Sequence, residues 1–261
     1  MRLTLATLLV FGLTPLAAQE SVTRASAEAV PYVPVRPGQS YSSGFLTEMR
    51  LLPYGRVLGP VTPPQIRSAA SGAVIAFGSL IGIRPPAGAS YTKGDTVVLA
   101  QRGPGPKGWG EVITPTGLAV ISGIDGTQTL ATILAIYGPI RDGQVTLPLE
   151  PVSNPGAVQP VKISGPTGSL ISPRESRELF QPGNIVFVDM GRVAGMRVGD
   201  FVEVRRAPAL RLNAADQIDE LMATGQVVTV NEKHSSVALI RIVSPAITPG
   251  TPVVRVATLP N

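Results

Sequence analysis

The sequence predicts a mainly β protein: two diverged copies of a small β-barrel or sandwich-like module, each with one short capped helix. Three observations lead there. Twenty-eight Gly and 26 Pro residues break the chain into short apolar runs, the punctuation of many strands joined by turns. Apolar residues make up 44% against a charged fraction of 15%, too much burial potential for a disordered chain. Finally, a series of motifs occurs twice in the same order, and the order survives although the spacing drifts, as duplication followed by loop insertion leaves it.

The first residues address the compartment. Met1-Arg2 is a positive start, Leu3–Leu13 is uncharged and apolar, and Pro15-Leu16-Ala17-Ala18 ends in small residues. This is the pattern of a signal peptide over residues 1–18, cleaved after Ala18; a membrane-spanning helix needs about 20 apolar residues. The later apolar windows, Ala73–Ile83 and Leu130–Ile140, are short and broken by Gly or Pro. With no transmembrane segment left after cleavage, the expected location is the periplasm or the outer membrane's surface. Cysteine is absent, which excludes a disulfide scaffold, a thiolate metal site and a lipid anchor through an N-terminal Cys.

Residues 19–54 read as a Pro-rich tail or linker. The first module is expected over 55–148 and the second over 167–261, with a Pro-rich linker at 149–166. Thr62-Pro63-Pro64-Gln65 and Ser172-Pro173-Arg174-Glu175 both read as capping boxes with Pro at the first helical position, so Arg67 should pair with Arg177. Each helix should end at a Gly, Gly72 and Gly183. Ala73–Phe77 then matches Asn184–Val188 as a strand, and Gly94-Asp95 matches Gly199-Asp200 as a turn. Gly110 matches Gly225, Ala131 matches Ala238, and Gly143 matches Gly250. The copies differ before their fourth strands: the first has the stiff loop 102–109, whereas Asn213–Met222 reads as a helix capped by Asn213.

Few motifs carry chemistry, and no catalytic, cofactor or metal residues are assigned. Gly103-Pro104-Gly105-Pro106-Lys107-Gly108 has G-x-G-x-x-G spacing, but its prolines lack the N–H groups a phosphate loop presents and a strand follows. Ser90-Tyr91-Thr92-Lys93 has S-x-x-K spacing but runs into a turn without the companion motifs. His234 is the only histidine; in the polar string Asn231–Ser236 it reads as an exposed hairpin residue, and a zinc site needs more ligands. Asp95 and Asp200 read as turn caps, and Asp125, Asp142 and Asp189 also lie in turn-like contexts. The candidate contact residues are Arg102, Lys107 and Trp109, basic and aromatic side chains on one loop that can stack on sugar rings or meet a protein, or else fold over the local core.

The formal charge of +5 becomes +4 once Arg2 is removed (21 Lys+Arg minus 17 Asp+Glu). Residues 19–110 hold nine basic side chains against four acids. That bias suits an anionic envelope polymer, or an envelope protein, as partner; nucleic acid is not expected.

The segment from Gly168 to about Val254 resembles the β-rich domain that follows LysM modules in bacterial peptidoglycan-associated proteins, and more loosely the C-terminal domain of a flagellar T-ring assembly protein. The resemblance rests on Ser172-Pro173-Arg174-Glu175, Gly183–Asp189, Gly195–Phe201, the Gly225 strand and Pro245-x-Ile247-x-x-Gly250. The LysM module itself is absent from the sequence. The resemblance implies a non-enzymatic cell-envelope scaffold or interaction protein, associated with peptidoglycan, and brings no catalytic residues or cofactors. The alternatives are a cell-wall hydrolase with an unrecognised acid pair and a periplasmic binding module.

Overall fold

The computed structural model describes residues 34–61, 75–125, 128–152, 158–207 and 221–260. The expected signal peptide, the capping box at Thr62–Arg67 and Gly72 lie outside these residues, as does most of the Asn213 helix. The last two residues of that helix, Leu221 and Met222, open a strand instead.

The chain is mainly β, as the punctuation by Gly and Pro predicts. A connector comes first: helix α1 (Pro37–Ser43) and the two-residue strand β1 (Phe45–Leu46). Six strands follow: β2 (Gly55–Pro60), β3 (Leu80–Arg84), β4 (Thr96–Pro104), β5 (Glu111–Asp125), β6 (Gln128–Ile136) and β7 (Val145–Pro148). All pair antiparallel, and the pairings run in a ring, β2-β3-β6-β5-β4-β7 and back to β2. Alternate side chains point inward, so Val57, Ile81, Ile83, Val97, Leu99, Ile121 and Ile133 fill the interior. A closed ring leaves no strand edge within itself.

After the short β8 (Val161–Lys162), the chain repeats the plan with β9 (Thr167–Pro173), β10 (Ile185–Val188), β11 (Phe201–Arg205), β12 (Leu221–Val230), β13 (Ser235–Ile242) and β14 (Pro252–Thr258). These pair in the ring β9-β10-β13-β12-β11-β14, which is the first ring's order with each strand replaced by its successor in the second half. Leu170, Val186, Val188, Val202, Val227, Val237 and Val253 form its interior.

The likeness extends to single hydrogen bonds. Gly94 N–H donates to Ile121 O and Gly199 N–H to Val227 O; Ile121 N–H returns to Asp95 O and Val227 N–H to Asp200 O. Gly78 N–H donates to Ile133 O, and Gly183 N–H to Leu239 O. Gly143 N–H donates to Val57 O, and Gly250 N–H to Leu170 O. Gly94 therefore pairs with Gly199 and Gly143 with Gly250, as the sequence suggests. Other expected matches shift: Gly183 corresponds to Gly78, Gly225 to Ala119 rather than Gly110, and Leu239 to Ile133. A one-residue slip in a strand reverses which side chains face the core, so only the pairing fixes these positions.

Several expectations need correction. No helix forms at Ser172-Pro173-Arg174-Glu175. Ser172 and Pro173 end β9, paired with Phe187 and Val186, and Arg174 N–H donates to Ile185 O. Pro60 ends β2 at the same ladder position, opposite Ile81; a strand end tolerates the missing N–H. Glu175 is held by Arg174 and Arg177 instead of capping a helix. Within Ala73–Phe77, the described residues 75–77 are not a strand: Ala76 N–H is taken by the Ser79 hydroxyl, the chain turns at Gly78 in a left-handed conformation (φ +76°), and the strand begins at Leu80. Residues 34–54 are not a tail, since Val35, Ser43, Leu46 and Thr47 are buried. The expected linker also contains β8, hydrogen-bonded to β14. Among the described residues no helix is long and apolar enough to cross a membrane.

Candidate functional site

The polar chemistry of the molecule concentrates where the connector passes between the two rings. Strand β1 pairs with β5 through Phe45–Ile113 and Leu46–Val112. Its neighbours bond to the second ring: Ser236 hydroxyl donates to Gly44 O (2.7 Å), Arg174 Nη1 donates to Ser42 O (2.7 Å), and the Ser43 and Thr229 hydroxyls meet at 2.7 Å. Phe187, on the outer face of β10, packs in this junction with Leu46, Val112 and Trp109. The connector is thus a wedge bonded to both modules.

At its centre lies His234, with an exposure of 0%. This corrects the exposed hairpin residue inferred from its polar neighbours, because the polar string faces the connector instead of solvent. Nε2 accepts from Leu46 N–H (3.0 Å), with the Asn231 side-chain amide 3.2 Å away, while Nδ1 lies 2.7 Å from the Glu48 carboxylate. These partners assign a neutral imidazole protonated at Nδ1. Trp109 and Phe187 meet the ring edge-on, at centroid distances of 6.0 and 5.9 Å, a favoured aromatic arrangement.

Glu48 also accepts from the backbone N–H groups of Lys233 (2.8 Å) and His234 (3.2 Å). Burial alone would raise its carboxyl, but these donors and the His234 ring hold it below the usual carboxylate range. Burial pushes His234 below its ordinary value, against the pull of Glu48. Glu48 and Met49 are the two described non-glycine residues with positive φ, +53° and +64°. Such a conformation costs free energy and persists only where neighbours enforce it; here Glu48 N–H donates to Trp109 O, and Thr47 is bonded to Glu111 in both directions. Gly191 presses on the other side of the hairpin: a Cβ there would meet Glu232 O and stand 2.6 Å from His234 N. Gly191→Ala should therefore destabilise the fold by about 2 kcal/mol, the scale of an overpacked core, measurable as a lower urea midpoint at unchanged slope.

The three candidate contact residues part company. Arg102 is occupied, forming a two-point pair with Glu111 (2.6 and 3.0 Å) and lying 4.4 Å above the Tyr54 ring. Trp109 is half-buried in the junction, so it folds over apolar neighbours shared by both modules. Lys107 is exposed on the hairpin tip. Arg102 and Glu111 also line an open cleft of about 850 Å³ with Gln101, Arg141, Asp142 and Gln144.

Asp95 and Asp200 are turn caps with equivalent bonds, to Thr92 N–H (2.8 Å) and Arg197 N–H (2.9 Å). Asp95 is exposed, and the Thr92 amide holds its carboxyl below the usual range. Asp200 is buried and also accepts from Arg255 Nη1 (3.1 Å) and the Thr258 hydroxyl (2.7 Å). Asp189 accepts from Ser169 N–H. Tyr91, in the S-x-x-K sequence, bonds its hydroxyl to Thr146.

Glu48 and Ser43 carry no sequence signal, and Arg174 reads only as part of a capping box, because their roles exist across separations of some 130 to 190 positions; the local signal is the apolar pair Phe45-Leu46 after the polar run Gln39–Gly44. Comparison with protein-family models, with curated proteins and with solved structures finds no match.

Proposed function

We propose that this chain is an exported, non-enzymatic scaffold or interaction protein of the cell envelope, acting in the periplasm or at the outer membrane beside peptidoglycan, with an envelope protein or an anionic envelope polymer as partner. The observation that carries the reading is the wedge: the only histidine, its carboxylate partner and the only tryptophan are spent on holding two barrels together through buried bonds. Asp95 and Asp200, the equivalent acids, are spent on turns. A molecule arranged this way presents a fixed outer surface, which is what a scaffold needs. The signal-peptide pattern and the resemblance of the second module to a LysM-associated domain supply the compartment. The polar cleft at Arg102 and Arg141 favours a second reading, a periplasmic binding module, since convergent polar groups in a concavity suit a small ligand.

Two experiments test this. The intact mass of the exported protein should correspond to a chain beginning at Gln19; a full-length mass would end the signal-peptide reading. The mature protein should stay on isolated envelopes at low salt and be released as salt rises, because screening weakens attraction between exposed charges. Since residues 34–54 are built into the fold, the deletion that tests the tail is confined to 19–33, and it should reduce retention. Retention that ignores both salt and the deletion would overturn the electrostatic part of the proposal.

A further inference from the structure

Four loops meet at the outer end of the junction. The connector turn 47–51 is bonded to the β4–β5 hairpin 105–110 through Glu48 N–H and Trp109 O. The same turn is bonded to the β12–β13 hairpin 231–234 through the Glu48 carboxylate and Lys233 N–H. That hairpin is bonded to loop 191–195, where Arg192 and Val193 donate to Asn231 O and Glu232 O. The assembly is one hydrogen-bonded network, backbone bonds joined through the Glu48 carboxylate, and belongs to both modules.

Its outward side chains have an unusual mixture. Leu51, Val193 and Met49 are 101%, 78% and 70% exposed, large apolar residues that no described neighbour covers. Interleaved with them are Arg50, Lys107, Arg192 and Lys233, all exposed. The acids on these loops are Glu232, which is exposed, and Glu48, whose carboxylate is turned inward to His234. Arg50 Nη2 also lies 3.8 Å from Glu48 Oε2 with its side chain 54% exposed, so the outward balance is Lys107, Arg192 and Lys233 plus a partly neutralised Arg50 against Glu232. A protein partner with a preformed site fits a continuous apolar patch or a groove. Apolar tips separated by cations suit a fluid surface that can receive each tip separately while its negative groups gather around the cations. The turn that presents Met49 has positive φ at Glu48 and Met49, a conformation the bonds to Trp109, Glu111 and His234 sustain.

We propose that this four-loop end docks on a bilayer surface bearing anionic head groups, with Met49, Leu51 and Val193 entering the interface and Arg50, Lys107, Arg192 and Lys233 meeting the head groups. The proposal rests on the envelope reading and names the surface the protein sits against.

The test is co-sedimentation of the mature protein with vesicles of phosphatidylethanolamine and phosphatidylglycerol, beside vesicles of phosphatidylcholine alone. Binding to the anionic vesicles should be at least tenfold tighter and should fall with salt. Leu51→Asp with Val193→Asp should reduce it tenfold or more, as should Arg192→Glu with Lys233→Glu. All four positions are exposed, so the thermal midpoint of each double variant should match the parent and show that folding is intact. Equal binding to both vesicle types, no binding to either, or binding unchanged in folded variants would overturn the proposal. If vesicles fail while isolated envelopes or lipid-free sacculi still retain the protein, the lipid surface is wrong and the envelope scaffold stands. Failure on envelopes with binding to vesicles would remove the scaffold's partner and keep the surface.

Discussion

His234→Ala is expected to destabilise the protein by about 3 kcal/mol, the range for emptying a buried ring site and leaving its hydrogen-bond partners unsatisfied. The substitution removes an imidazole packed against Trp109 and Phe187, leaves Leu46 N–H without its acceptor, and strips the buried Glu48 carboxylate of its ring partner. Glu48→Gln should cost much less, since an amide oxygen can still accept from the Lys233 and His234 amides and from Nδ1–H. Urea unfolding monitored by Trp109 fluorescence reads both, because the tryptophan lies in the junction. Equal losses for the two variants would mean that the carboxylate's charge, not the imidazole, holds the junction.

The same site sets the pH response. Histidine in the unfolded chain takes up a proton near pH 6.5, whereas in the fold burial pushes its pKa lower. A lowered folded pKa means that the unfolded state binds more protons, so stability is complete above about pH 6.5 and declines as pH falls below it. A proton arriving at Nε2 would face the Leu46 N–H donor. Glu48, also lowered, removes further stability at more acid pH, as its carboxylate is neutralised. The unfolding midpoint should drop between pH 7 and pH 5, and His234→Ala should flatten that slope; an equally steep slope in the variant would place the pH dependence elsewhere.

The second large effect separates two residues that the duplicated turn makes equivalent. Asp200→Ala should cost about 3 kcal/mol, because Asp200 is 0% exposed and its loss removes the acceptor of the Arg197 amide and the Thr258 hydroxyl and the carboxylate facing the partly buried Arg255, which keeps Gly195 O. Asp95→Ala removes a single bond to Thr92 N–H at an exposed turn, and should cost about 0.5–1 kcal/mol. Thermal unfolding of both variants measures the contrast. Similar losses would mean that the turn itself, common to both modules, dominates over the buried network found only in the second.

The repeat was legible in the sequence through its turns and less so through its strands. Gly94-Asp95 and Gly199-Asp200 stood out because a left-handed Gly followed by a capping Asp is a local requirement, visible in two letters. The strand matches slipped because Val- and Ile-rich runs look alike at neighbouring registers, and because β5 extends 15 residues where β12 has 10. The supposed capping box at Ser172 failed for a related reason: its letters satisfy a helix start, but β10 offers Pro173 and Arg174 a ladder. The junction was illegible. A histidine in a polar hairpin reads as exposed unless one knows that a wedge from 188 positions earlier lies on top of it. Of the proposed contact residues, Lys107 remains outward on its loop, Arg102 is taken by Glu111 across its own hairpin, and Trp109 has partners, His234 and Phe187, that no sequence window contains.

The wedge also dictates an order of events during folding. Its residues leave the ribosome early, yet several of their hydrogen-bonding partners, Thr229, Lys233, His234 and Ser236, belong to β12, β13 and the hairpin between them, late in the chain. Until those strands exist, Leu46, Ser43 and Glu48 have only the first ring to rest on, and closing a loop of such length is slow and entropically costly. Each ring can assemble from its own contiguous strands; the connector can only be sealed afterwards. The last step in making this protein is therefore the placement of a segment made early, and any cellular factor that guards the unfinished chain would find its exposed target at Phe45, Leu46 and Phe187 until that step is done.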